Sequence, residues 1–115
     1  MADKEVSREI VDKVCEAIEV ARTTGKIRKG ANEATKAIEK GQAKLVAYAK
    51  DVSPPEIVMH LPLLSEEKGV LCVQVPSKEE LGAAAGIELG TSAVVIVQEG
   101  EAKDLLKDIA NKLKQ

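Results

Sequence analysis

The chain predicts an α/β fold, a three-layer α/β/α sandwich with a central mixed sheet of about four short strands. Three observations point to it. The apolar runs Ala43 to Ala49, Val70 to Val75 and Ala93 to Val97 are short and nearly continuous, the pattern of strands covered on both faces. Between them lie segments whose apolar residues recur at helical spacing, which supplies the covering layers. The length of 115 residues, with 44% hydrophobic and 31% charged, suits one globular domain spanning 1–115 rather than two domains or a disordered chain.

The elements follow in order. Val6, Ile10, Val14, Ala17, Ile18 and Ala21 mark an amphipathic helix from about Lys4 to Thr23, with Gly25 as its stop. Lys26 to Lys29 is a short extended piece. Gly30 opens a second helix with a narrow stripe of Ala31, Ala34, Ala37 and Ile38, ended by Gly41. Ala43 to Ala49 is a buried strand. Asp51-Val52-Ser53-Pro54-Pro55 turns into a short helix over Pro55 to His60. Pro62 then breaks the chain and begins another helix that ends at Gly69. Val70 to Val75 is the next strand, stopped by Pro76. Ser77 with Glu80 forms a capping box for a helix through Ala85 that Gly86 ends. Ile87 to Thr91 is loop, Ala93 to Val97 a strand, and Ala102, Leu105, Leu106, Ile109, Ala110 and Leu113 line a final helix.

Composition excludes several classes. No apolar run approaches the roughly 20 residues of a membrane span, and no basic start leads into an apolar stretch, so neither a membrane nor a secretory route is expected. Cys15 and Cys72 are too few for a disulfide scaffold or a tetrahedral metal site. The expectation is a reduced, cytoplasmic protein with no metal and no cofactor. Tyr48 is the one aromatic residue, so any nucleic-acid binding must work through charge, hydrogen bonds and shape rather than base stacking.

Catalytic chemistry finds no foothold. His60 sits between Met59 and Leu61 with no Cys or Ser at useful spacing and reads as structural. Cys15 on the first helix and Cys72 in a strand read as small hydrophobes. No phosphate-binding glycine loop is present, since Gly82, Gly86 and Gly90 fall in and after a helix rather than before one. Glu79 and Glu80 are adjacent and diverge on a helix. The residues predict a binding protein, not an enzyme.

Charge is segregated. The net charge is -2. Between Arg22 and Lys44 the basic residues are Arg22, Lys26, Arg28, Lys29, Lys36, Lys40 and Lys44, against Glu33 and Glu39 alone. A basic patch on an otherwise acidic protein fits a polyanion site. It also fits a solvated helix face, and charge alone does not choose. On the second helix Lys29, Asn32, Glu33, Lys36 and Lys40 share one face, beside an N-terminus that favours anions and a glycine that admits a close backbone approach. Glu33 would weaken a purely electrostatic site. It suits base amino or imino groups, with Lys36 donating to guanine acceptors. The alternative is an exposed Glu33–Lys36 pair worth a few tenths of a kcal/mol.

The segments Lys29-Gly30-Ala31-Asn32-Glu33, Thr35-Lys36 and Glu39 to Leu45 resemble the archaeal ribosomal proteins of the L-seven-Ae family, which bind RNA kink-turns. The likeness runs on through Pro54-Pro55-Glu56-Ile57-Val58, His60-Leu61-Pro62-Leu63-Leu64, Pro76-Ser77-Lys78 and Leu81 to Glu88. It implies that Asn32, Glu33 and Lys36 contact guanines of tandem sheared G·A pairs, while Lys29, Gly30 and nearby basic residues, Lys40 among them, hold the backbone. It further implies that Ile87, Glu88 and Leu89 cover an extruded nucleotide, and that Lys78 meets a phosphate. The partners implied are ribosomal RNA in the large ribosomal subunit, box C/D and box H/ACA guide RNAs, and ribonuclease P RNA. A box C/D scaffold protein and a methyltransferase would join through the RNA particle. The sequence departs from the family pattern at Leu89-Gly90-Thr91-Ser92, where many relatives carry a proline turn, and Gly90 predicts a more mobile loop. The alternative function is a protein-interaction or regulatory module of the same fold that binds no RNA.

Overall fold

The computed structural model describes residues 8–113. Helix α1 (Arg8–Thr24) turns Val11, Val14, Ala17, Ile18 and Ala21 inward, as its spacing requires. The expected start of this helix at Lys4 lies outside the described residues. Strand β1 (Lys26–Lys29) leads into α2 (Ala31–Glu39), then β2 (Leu45–Ala49), a 3₁₀ turn (Pro55–Ile57), α3 (His60–Lys68) and β3 (Leu71–Val75). Helix α4 (Lys78–Ala84), β4 (Ala93–Gln98), a second 3₁₀ turn (Gly100–Ala102) and α5 (Lys103–Leu113) complete the chain.

The four strands form one mixed sheet in the order β1-β4-β2-β3. Strand β4 runs antiparallel to both neighbours, while β2 and β3 are parallel, joined by the α3 crossover that a parallel pair needs. Helices α2 and α3 cover one face; α1 and α4 cover the other, with α5 packed on α1. This is the α/β/α sandwich expected. Strands β1, β2 and β3 end where β4 begins, so the chain segments that follow them gather at one end of the sheet.

Two expectations between β2 and β3 are corrected. Residues Pro55 to His60 do not form a helix of their own; a single 3₁₀ turn is followed by α3, which starts at His60. Pro62 therefore sits inside the first turn of α3 rather than breaking the chain. The missing proline amide is tolerated there because the first amides of a helix have no intrahelical acceptor.

The core is aliphatic. Ile18, Ile38, Leu45, Leu61, Leu81, Ile96 and Ile109 are fully buried, each worth roughly 1.5–3 kcal/mol of removal from water. On α2 the buried residues are Ala31, Ala34, Ala37 and Ile38. Three alanines let that helix lie close to the sheet, which fixes its outer face within a narrow range of positions.

Candidate nucleic-acid interface

Strand β1 runs into Gly30, whose φ of 102° and ψ of 151° lie in a region open essentially to glycine. A Cβ there would meet nothing within 4 Å. Conformation rather than crowding demands the glycine, and the space over it stays open. The Gly30 amide donates to the Ala93 carbonyl at 2.7 Å, and the Ala34 amide donates to the Gly30 carbonyl at 3.0 Å, starting α2. The Ala31 amide donates to Ser92 Oγ at 3.1 Å.

Asn32, Glu33, Lys36 and Lys40 are all exposed on the outer face of α2, as their spacing predicts. Two depressions flank Glu33. The larger, of about 640 Å³, is lined by Lys29, Gly30, Ala31, Asn32, Glu33, Ile57 and Ser92. The smaller, of about 80 Å³, is lined by Arg28, Glu33, Lys36, Ala37, Lys40 and Gln42. Glu33 is thus the carboxylate on the boundary between the two. Lys36 Nζ stands 3.9 Å from Glu33 Oε2 with both side chains largely exposed, a contact too weak to hold either group against a ligand.

Thr35 faces α3. Its hydroxyl donates to the Ala31 carbonyl at 2.8 Å and lies 2.7 Å from His60 Nε2. The hydroxyl and the His60 ring nitrogen form a second hydrogen bond, whose direction follows the imidazole tautomer. His60 stands at the start of α3 and links it to α2. Burial pushes the Cys15 and Cys72 thiols up to about 11, so neither is a thiolate at neutral pH. Among the described residues no group of three or more His, Cys, Asp or Glu side chains could hold a metal ion, and no helix is long and apolar enough to cross a membrane.

Lys78 and the 87–91 loop form a second cluster. Ser77 caps α4, its Oγ accepting from the Glu79 and Glu80 amides at 3.1 and 3.3 Å, and the Lys78 amide donates to Asp51 Oδ1 at 2.8 Å. The Thr91 amide donates to the Lys78 carbonyl at 3.1 Å. Gly90, expected to loosen the loop, has another role here. A Cβ on Gly90 would stand 2.8 Å from Lys78 Cγ and 3.2 Å from the Lys78 carbonyl carbon, so glycine permits a close approach. Ile87 is half-buried, Glu88 is exposed, and Leu89 is 77% exposed.

The predicted residues thus fall into two groups, the α2 tip and the Lys78 loop cluster, joined through Ser92 at the start of β4. Reasoning from sequence missed Ile57, Ser92 and Gln42, and placed Arg28 only in the general basic run. Ile57 and Ser92 lie far from α2 in the chain, and nothing in their local sequence sets them beside it.

The model of the family described as "Ribosomal protein L7Ae/L30e/S12e/Gadd45 family" matches residues 12–106. Among solved structures, the chain is similar to the "Giardia lamblia 15.5kD RNA binding protein", with 33% sequence identity and a TM-score of 0.89. The match covers 95% of this chain and 91% of that one. With the family model matching residues 12–106 and the fold shared over nearly the whole chain, the chain belongs to the ribosomal protein L7Ae/L30e/S12e/Gadd45 family.

Proposed function

We propose that this protein binds RNA and recognises the kink-turn, a sharply bent duplex built on tandem sheared G·A pairs. One observation carries the reading: Asn32, Glu33 and Lys36 stand together, exposed, at a helix tip opened by Gly30, with the Glu33 carboxylate shared between two depressions. A carboxylate among cations opposes phosphate binding but accepts hydrogen bonds from guanine amino and imino groups, while Lys36 donates to guanine acceptors. The similarity to an RNA-binding protein of known structure supports the RNA-binding part of this reading.

In this reading Lys29 and Gly30 hold the RNA backbone at the α2 tip, and Lys40 and Lys78 meet phosphates. Ile87, Glu88 and Leu89 cover the extruded nucleotide, the exposed Leu89 supplying an apolar face. Free RNA samples bent and straighter forms, and a protein that binds the bent form alone shifts the population toward it. No bond is made or broken. The RNAs proposed are ribosomal RNA in the large subunit, box C/D and box H/ACA guide RNAs, and ribonuclease P RNA. A scaffold protein and a methyltransferase then assemble on the bent guide RNA, and catalysis belongs to them.

The test is a titration of labelled kink-turn RNA, first with its G·A pairs intact and then with Watson–Crick pairs in their place. Tight binding of the first and weak binding of the second is expected. Equal affinity for both overturns the kink-turn assignment. Binding to neither removes the RNA reading altogether and leaves a protein-interaction module.

A further inference from the structure

Helix α2 opens on a residue that cannot cap it, because Gly30 has no side chain. Ser92, 61 residues beyond Ala31 in the chain, does so instead, its Oγ accepting from the Ala31 amide at 3.1 Å. We propose that Ser92 is a positioning residue, which holds the tip of α2 in register with the Lys78 loop cluster so that both halves of the interface meet RNA as one surface. The proposal rests on the RNA reading above.

The bonds around Ser92 support this. Its carbonyl accepts from the Ala49 amide at 3.0 Å, which anchors it to the end of β2. One residue earlier, the Thr91 amide donates to the Lys78 carbonyl at 3.1 Å, and the Thr91 hydroxyl donates to the Ala93 carbonyl at 3.2 Å. One residue later, that same Ala93 carbonyl accepts from the Gly30 amide at 2.7 Å. Three consecutive residues therefore bind the loop cluster, the central sheet and the helix tip. The bonds at Thr91 and Ala93 are made by backbone or by a hydroxyl turned onto its own strand. The Ser92 side chain is the one that reaches across to α2.

The helix it holds is short, and Asn32 and Glu33 sit in its first turn, where fraying begins. Losing a cap loosens that turn first. Base reading depends on angle and distance and should suffer more than contact with phosphate, which tolerates displacement.

The test titrates wild-type, Ser92→Ala and Ser92→Thr proteins, well below their melting temperatures, with kink-turn RNA and with the RNA whose G·A pairs are replaced. Amide hydrogen exchange at Ala31 is followed in the RNA-free proteins. In Ser92→Ala, exchange at Ala31 should quicken, and kink-turn affinity should fall about fivefold while affinity for the replaced RNA falls by less. Ser92→Thr keeps the hydroxyl and should restore both. An unchanged ratio between the two RNAs in Ser92→Ala overturns the proposal, as does a threonine variant no better than the alanine one. If wild-type protein binds both RNAs alike, the kink-turn reading fails by itself. Exchange at Ala31 still decides whether Ser92 holds the tip, and unchanged exchange there overturns it.

Discussion

Glu33 is the residue on which the two depressions meet, and its environment sets what its removal should do. Its contact with Lys36 is long and exposed, so Glu33→Ala should leave the melting temperature within experimental scatter. Its affinity for kinked RNA should fall more than its affinity for straight duplex, by about 1–3 kcal/mol if a base contact is lost. Equal losses on both RNAs would show that Glu33 reads no base. Lys36→Ala should weaken binding and lower the slope of log affinity against log salt by about one, since a cation facing phosphate or guanine is lost; an unchanged slope would place the ammonium away from the RNA. Asn32, Glu33 and Lys36 were legible in the sequence because helical spacing alone puts them on one face. Ser92 and Ile57 were not, since their place beside α2 is set by the sheet and not by neighbours in the chain.

Among the elements, α4 and the loop after it show how a local preference can be reversed by packing. Gly82 lies inside α4, where alanine is ordinarily better by about 1 kcal/mol. Here a Cβ would press on the Leu89 carbonyl oxygen and stand 3.1 Å from Gly90 Cα, so the loop must move. Gly82→Ala should therefore destabilise the protein by about 1–3 kcal/mol in urea unfolding, overpacking outweighing propensity. A stabilised variant would mean that the loop yields freely. Strands β2, β3 and β4 with α1, α2 and α5 were readable from periodicity, because each presents one apolar face or a continuous apolar run, whereas β1 was legible only as a short extended piece. The start of α3 was not, because Pro62 marks a break only if the helix has already passed its first turn. Whether it has depends on the 3₁₀ turn before it, which the sequence does not distinguish from a short helix.

Over the whole molecule, charge is distributed by face. Asp12, Glu16, Glu19 and Glu80, with Arg8, line a groove between α1 and α4, on the side of the sheet opposite α2. A polyanion approaching from that side is repelled and one approaching α2 is drawn in, so the field helps to orient docking. The hydrogen bond from Arg8 holds the Glu80 carboxyl below its usual range, and the bond from Lys13 at 2.7 Å does the same for Asp108. With folded-state pKa values depressed, the unfolded chain binds more protons in acid. The stability these groups contribute is present above about pH 4, the ordinary carboxylate value, and is lost as pH falls through the folded values. The melting temperature should hold between neutrality and about pH 5 and decline below it, and Glu80→Gln with Asp108→Asn should flatten part of that decline. An identical acid profile in the double variant would assign the loss to other carboxylates. Strand β1 adds a last consequence. It is an outer strand of the sheet, four residues long, with Lys26, Arg28 and Lys29 exposed. Such lysines and arginines keep an open edge from recruiting another chain by strand addition. Stripping them to abolish RNA binding should therefore also unguard the edge, and such a variant should elute from gel filtration as aggregates even where its fold is intact.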